Sequence, residues 1–238
     1  MVHRRDLLKS ALVLASGSVA SANFAATVPA DGKKLLADVV KSYAAMSSYQ
    51  DEGNVTSHVG DDSSYKIAFT NLYKSPALFR FRFAVPHPYP PLHDIVTNYD
   101  VGFDGAAGYF VLKRPEKPAT AVPVQNLNLA LARATGVSLG AAHTLSRLLV
   151  REVSGVSMLD LVNPQIGEDT TLDGTACYSL SAQHPRGGEW GLWIAMDTLL
   201  VRKLRVYSAG QNSAYSEEVH EHVRVNQPID DGQFKPDA

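Results

Sequence analysis

Glu218, His220 and His222 recur at every second position near the end of the chain. On a strand that spacing puts three metal-capable side chains on one face, neighbours about 7 Å apart along the backbone. The same alternation, with Val219, Val223 and Val225 opposite, also describes a solvated outer face over a packed inner one. No further ligand is identifiable, so no metal site is assigned. His93-Asp94, with His87 nearby, offers the base and orienting carboxylate of nucleophilic catalysis. Neither a Gly-x-Ser-x-Gly elbow nor a cue for an oxyanion hole accompanies them, so no catalytic residue is assigned. Cys177 is the single cysteine; no disulfide within one chain can form, and a small buried strand residue is the expectation. No cofactor is expected.

The richer chemistry is apolar. Phe79, Phe81 and Phe83 alternate with Arg80 and Arg82, giving an aromatic face and a cationic face, the latter solvated. With Tyr99, Phe103, Trp190, Ile194 and Leu148 these phenylalanines are the candidate lining for an apolar ligand; the competing reading of each is ordinary core packing. Between Pro86 and Asp94, four prolines make a stiff extended loop. Its Tyr89 and Leu92 are candidates for the rim of a cavity, or for a rigid connection and nothing more. Asp104-Gly105 and Asp173-Gly174 read as turns.

At the N-terminus, Arg4-Arg5 precede two leucines, a lysine and the mildly apolar run 11–20, and Ala20-Ser21-Ala22 is a small-x-small cleavage site. This is the layout of a secretory signal of the twin-arginine type. The expectation is a signal peptide over residues 1–22, cleavage after Ala22, and a periplasmic protein. Outside the cytoplasm ATP and reduced nicotinamide are scarce, which disfavours kinases and dehydrogenases. With 22 Lys and Arg against 24 Asp and Glu, the chain has no basic excess with which to neutralise nucleic-acid phosphates. No segment after residue 22 is apolar enough to span a bilayer, so a soluble protein with at most peripheral membrane contact, and a monomer, is expected.

Elements must position these residues. Asp31 caps a helix whose stripe is Leu36, Val39, Val40 and Tyr43, ending near Met46. Period-two runs follow at Tyr65–Phe69, Phe79–Phe83, Ile95–Phe103 and Tyr109–Lys113. A helical interlude occupies Pro123–Arg133 and Ser138–Val150, and strands resume around Trp190–Ile194, Leu200–Val206 and Glu218–Val225. Residues 23–238 therefore form one α+β domain of nine to eleven strands. A sheet that wide curls, and the helical segments cover its apolar face, leaving space for an apolar ligand.

Several local patterns, in order, resemble one superfamily. Tyr43-Ala44-Ala45-Met46-Ser47-Ser48-Tyr49-Gln50-Asp51-Glu52-Gly53 is similar to the join of first helix and first strand in the LolA/LolB-like periplasmic carriers. Pro76-Ala77-Leu78-Phe79-Arg80-Phe81 resembles their proline-led strand. Asp173 to Leu180, Leu192-Trp193-Ile194 and Leu200-Val201-Arg202-Lys203 resemble their second-half strands, and Asn226-Gln227-Pro228-Ile229 with Phe234 their ending. The likeness spans residues 31–236, with 115–165 contributing least, and is to the poorly characterised branches. It implies a strongly curved antiparallel sheet, a half-open β-barrel, covered by an N-terminal helix and an inserted helical lid. It further implies non-enzymatic binding or carriage of a lipid, of lipoprotein acyl chains or of another apolar ligand. The alternative it leaves is a sensory or protein-interaction domain that meets an envelope protein and holds no ligand.

Overall fold

The computed structural model describes residues 31–59, 63–207 and 214–237. Arg4, Arg5, Ala20 and Ala22, with the rest of the expected signal segment, lie outside the described residues. Helix α1 (Gly32–Ala44) starts where Asp31 accepts the backbone N–H of Lys33 at 2.9 Å, satisfying one orphan donor of the first turn. It buries Leu35, Leu36, Val39 and Tyr43. A meander follows: β1 (Ser48–Val59), β2 (Ser63–Lys74), β3 (Leu78–Pro86), β4 (Val96–Phe103), β5 (Gly108–Lys113) and β6 (Thr120–Val124). Helices α2 (Leu127–Ala134) and α3 (Thr144–Leu149) come next, with a 3₁₀ turn at Ala141–His143 between them. The chain returns through β7 (Val162–Ile166), β8 (Thr170–Leu172), β9 (Thr175–Gln183), β10 (Glu189–Ala195), β11 (Val201–Tyr207) and β12 (Ala214–Val225).

All pairings are antiparallel, in the order β6-β5-β4-β3-β2-β1-β12-β11-β10-β9-β7, with β8 also on β9. The α+β class is as expected. Among the described residues the sheet has twelve strands rather than nine to eleven, because β6, β7 and β8 are short and two carry prolines that mask them in sequence. Pro123, expected to open a helix, instead lies on the edge strand β6 opposite Tyr109, where a missing N–H is tolerated. Helix α2 begins later, where Asn126 accepts the N–H of Leu129 at 3.0 Å. Ile95 is 43% exposed and precedes β4 instead of joining its inner face.

One face of the sheet and the helices share a single core. Tyr49, Ile67, Phe79, Phe81, Val101, Leu192 and Ile194 are fully buried against Leu35, Val39, Leu131 and Leu145. Gly53 in β1 has a steric role here: a Cβ would collide with the Val219 carbonyl oxygen and lie 2.5 Å from the Phe69 ring. Its absence lets Phe69 cross the strand and meet His220 edge-on at 5.6 Å.

The last strand does not alternate as its sequence implies. Gln50 pairs with Arg224 but Glu52 pairs with Glu221, so β12 holds one extra residue, and His222 takes a φ of +51°. This β-bulge resets the facing by one. Glu218 and His220 point into the core, Val219 lies on the other face, and beyond the bulge Val223 and Val225 pack inward. The expected single face of Glu218, His220 and His222 is thus corrected: His220 is buried and His222 exposed.

The opposite face of the sheet is also partly covered. The C-terminal turn Asp231–Phe234 lays Ile229 and Phe234 on Leu72 and Leu78, and the Tyr109 hydroxyl donates to the Phe234 carbonyl at 2.9 Å. Arg80, expected to be solvated, lies beneath this segment at 4% exposure. Its guanidinium forks onto Asp100 at 2.9 and 2.5 Å, reaches the Gln233 carbonyl at 2.6 Å and pairs with Asp237 at 2.9 Å. Arg82 remains partly exposed, as expected.

Candidate functional site

Two polar features interrupt the core. The first runs from β1 to β12. Asp51 is buried on the inner face of β1; its Oδ1 accepts from the backbone and side-chain amides of Asn71 at 3.1 and 2.8 Å. Its Oδ2 takes the Tyr49 hydroxyl at 2.9 Å and lies 2.6 Å from Nδ1 of His220. On the other side of the ring, Nε2 lies 3.2 Å from Oε1 of Glu218, an ion-pair distance, while Oε2 of Glu218 accepts from the Thr144 hydroxyl at 2.7 Å. Burial opposes a charge on His220, but the two flanking carboxylates overcome it and hold its pKa up to about 10. Asp51 raises the pKa of Tyr49 too, adding to the effect of burial. His220 is fully enclosed and contributes nothing to a cavity wall. Its chemistry is that of a buried ion pair tying the central strands together.

The second feature is a cavity of about 230 Å³ between β10–β12 and the helices. Its floor is Trp190, Leu204, Val206, Ser216 and Glu218; Leu139, His143, Thr144, Arg147 and Leu148 close it from above, and Val40 and Met158 from the sides. Carbon dominates the floor because β10 and β11 alternate with their apolar residues inward. The polar groups gather around Thr144. His143 passes its Nε2 to the Thr135 hydroxyl at 2.7 Å, and that hydroxyl itself donates to the Leu131 carbonyl at 3.1 Å. Nδ1 of His143 is buried and has no hydrogen-bond partner among the described residues. Burial, helped by the nearby Arg147, depresses the His143 pKa to about 4.

Of the residues nominated from sequence, Trp190 and Leu148 line this cavity. Phe79, Phe81 and Ile194 are fully buried core residues, and Phe103 is half-buried against the same core. Phe83 stacks on Tyr99 with ring centroids 4.6 Å apart. That pair borders a wider groove of about 680 Å³ along β1–β5, whose lining includes Lys66, Arg82, Asp100 and Lys113. Tyr89 and Leu92 are 60% and 40% exposed in the proline-rich loop, and neither lines the cavity beneath the helices. His93 is exposed, and His87 accepts the Tyr89 N–H at 3.1 Å in a local turn. Cys177 is free and fully buried.

The sequence reading missed His143, Thr144, Arg147 and the Asp51–His220–Glu218 network. The first three stand in the helical interlude, where periodicity marks the apolar positions and gives no role to the polar ones between them. Glu218 and His220 were visible as a pair, but the bulge that turns them inward has no signature in residue type.

No known protein family matches this sequence, and no curated protein does. Solved structures match at low identity. An uncharacterized conserved protein from Thermus thermophilus is 10% identical with a TM-score of 0.51, over 87% of this chain and 96% of that one. The MucA/MucB complex of Pseudomonas aeruginosa gives 11% and 0.47, over 87% of this chain and 61% of that one. A LolA superfamily protein from Nitrosomonas europaea gives 11% and 0.34, over 87% and 98%. At 10% identity the likeness to the Thermus thermophilus protein shows the fold alone.

Proposed function

We propose that this protein is exported to the periplasm, its first 22 residues removed, and that it binds or carries an apolar ligand there without catalysis. The ligand is a lipid, a lipoprotein acyl chain or a similar molecule, held between helices and a sheet curved as a half-open barrel. The observation that carries this reading is the cavity under Leu139–Leu148, floored by Trp190, Leu204 and Val206. At about 230 Å³ it is smaller than the ~300–1,000 Å³ typical of small-molecule pockets. It suits a short chain, or the end of a longer one admitted as the α3 segment lifts. Each methylene buried there contributes about 0.8 kcal/mol, and release requires the same segment to move or a partner to compete. Titration with the neutral dye N-phenylnaphthylamine tests this. Saturable uptake is expected, lost in Val206→Phe while circular dichroism stays native; no uptake by the native chain contradicts it.

A second reading, an interaction domain that meets an envelope protein, has its own support. The interior beneath Phe79 and Phe81 is filled, and one loop exposes Tyr89, Leu92 and Ile95 together. On that reading, replacing Tyr89 and Leu92 by serine abolishes partner capture and leaves dye uptake unchanged.

A further inference from the structure

The wall of the cavity beneath α3 holds a cation without a counter-charge. Arg147 lines the cavity and is half-buried. Its Nε donates to the Ser154 carbonyl at 3.3 Å, and its guanidinium makes no other hydrogen bond and no ion pair among the described residues. The backbone makes room for this group. Gly155, at φ +129°, lies so close that a Cβ there would stand 2.5 Å from Nη2 of Arg147.

A second cation stands at the same end. The turn between β9 and β10 lays His184 on the wall residue Trp190, ring centroids 5.2 Å apart, and Nδ1 of His184 accepts the N–H of Arg186 at 3.2 Å. Arg186 is exposed, and it is near enough to Arg147 to add to the effect of burial in lowering that residue's pKa. Like charges gathered at one end of an apolar space raise the energy of the empty protein. Among the described residues Glu218 is the one carboxylate in the cavity wall, and it is committed elsewhere. Its Oε2 accepts from Thr144, and its Oε1 lies 3.2 Å from Nε2 of His220.

A guanidinium with its outer N–H groups unspent grips a carboxylate or a phosphate through two parallel bonds. An ammonium head would be repelled by both arginines, and a hydroxyl head would leave their charge unmet. We propose that the cavity takes an amphiphile with one anionic head, a carboxylate or phosphate held by Arg147 with Arg186 beside it, its chain running over Trp190, Leu204 and Val206. This rests on the reading of the cavity as an apolar ligand site.

Isothermal titration calorimetry of the full chain at neutral pH tests the head with octanoate, octyl phosphate, n-octanol, octylamine and inorganic phosphate. Octanoate or octyl phosphate is expected to bind at least about tenfold more tightly than octanol, the effect of a charge-assisted bond, and the tighter of the two names the head. Octylamine should bind least of the four chains, inorganic phosphate should give no heat, and added salt should narrow the gap between octanoate and octanol. Arg147→Met should bring the ratio of octanoate to octanol affinity down to about one. Arg186→Met, in an exposed turn where its side chain bonds no other residue, should lower that ratio about threefold. Octanol equal to both anions overturns the head-group inference while the apolar site stands. Tightest binding of octylamine overturns it too, as does a preference for anions that neither substitution reduces. Inorganic phosphate bound as tightly as octyl phosphate would mean an anion site with no use for a chain, which overturns the amphiphile. Failure of every ligand, octanol included, removes the apolar site and the head-group inference together.

Discussion

His220 sits between two carboxylates, fully enclosed by protein, and its proton is the most consequential in the molecule. Its folded pKa of about 10 exceeds the ~6.5 of an unfolded histidine. The stability it contributes is therefore fully present below pH ~6.5 and drains away as pH rises toward 10. His143 behaves oppositely: with a folded pKa near 4, its contribution is complete above ~6.5 and is lost as pH falls toward 4. Urea unfolding from pH 4.5 to 9.5 should give a stability maximum near pH ~6.5, and His143→Leu should flatten only the acid flank. A curve still rising at pH ~9 contradicts the charged state of His220. Tyr49, Asp51, Asn71, Glu218 and Thr144 make up the polar surroundings of His220, and Thr135 and Arg147 flank His143. Asp51→Ala should lower the unfolding free energy by about 3–5 kcal/mol, because it strands the imidazolium; a loss under ~1 kcal/mol would show that the network is not an ion pair. None of this was readable from residue types, since Asp51 and His220 lie 169 positions apart and meet only through pairing of the first and last strands.

At the level of elements, periodicity was a sound guide wherever the backbone is regular. The Phe79-Phe81-Phe83 alternation faces the core as read, and Asp31 caps α1 as read. It failed where one residue breaks the ladder. His222 at φ +51° reverses the facing of β12, and nothing in Glu221-His222-Val223 announces that. His222→Val should cost about 1–3 kcal/mol in chemical denaturation, because a β-branched residue resists positive φ, while His222→Gly should cost little. Equal effects would mean that the bulge carries no backbone demand. Periodicity also cannot see a strand being covered. Arg80 reads as solvated on its own strand and becomes buried only when residues 229–237 fold across β3. Arg80→Ala should leave Asp100 unpaired, cost about 3–5 kcal/mol and expose the C-terminal segment to limited proteolysis; a cleavage pattern unchanged from the native chain would contradict that role.

For the whole molecule, the broad outline was legible because it needs only counts and order: one helix, a meander, a helical interlude, a second meander. Where empty space lies within that outline was not legible, because it depends on which side chains fill the interior. Under β2–β4 the phenylalanines fill it, so the residues most conspicuous in sequence are core. Space remains instead beneath α3, over β10–β12, where Trp190 and Leu148 meet Leu204, Val206 and Glu218. On the proposed reading, the space beneath α3 is the part of the molecule that admits a chain, while the phenylalanine-filled interior under β2–β4 holds the fold.

Native mass spectrometry of the protein, purified without detergent and then offered n-octanol, tests that reading most directly. The account predicts a discrete adduct, either a co-purified molecule of lipid size or one octanol per chain, and its loss in Val206→Phe. A clean apo mass that takes up no octanol would contradict it and leave the interaction domain as the better reading.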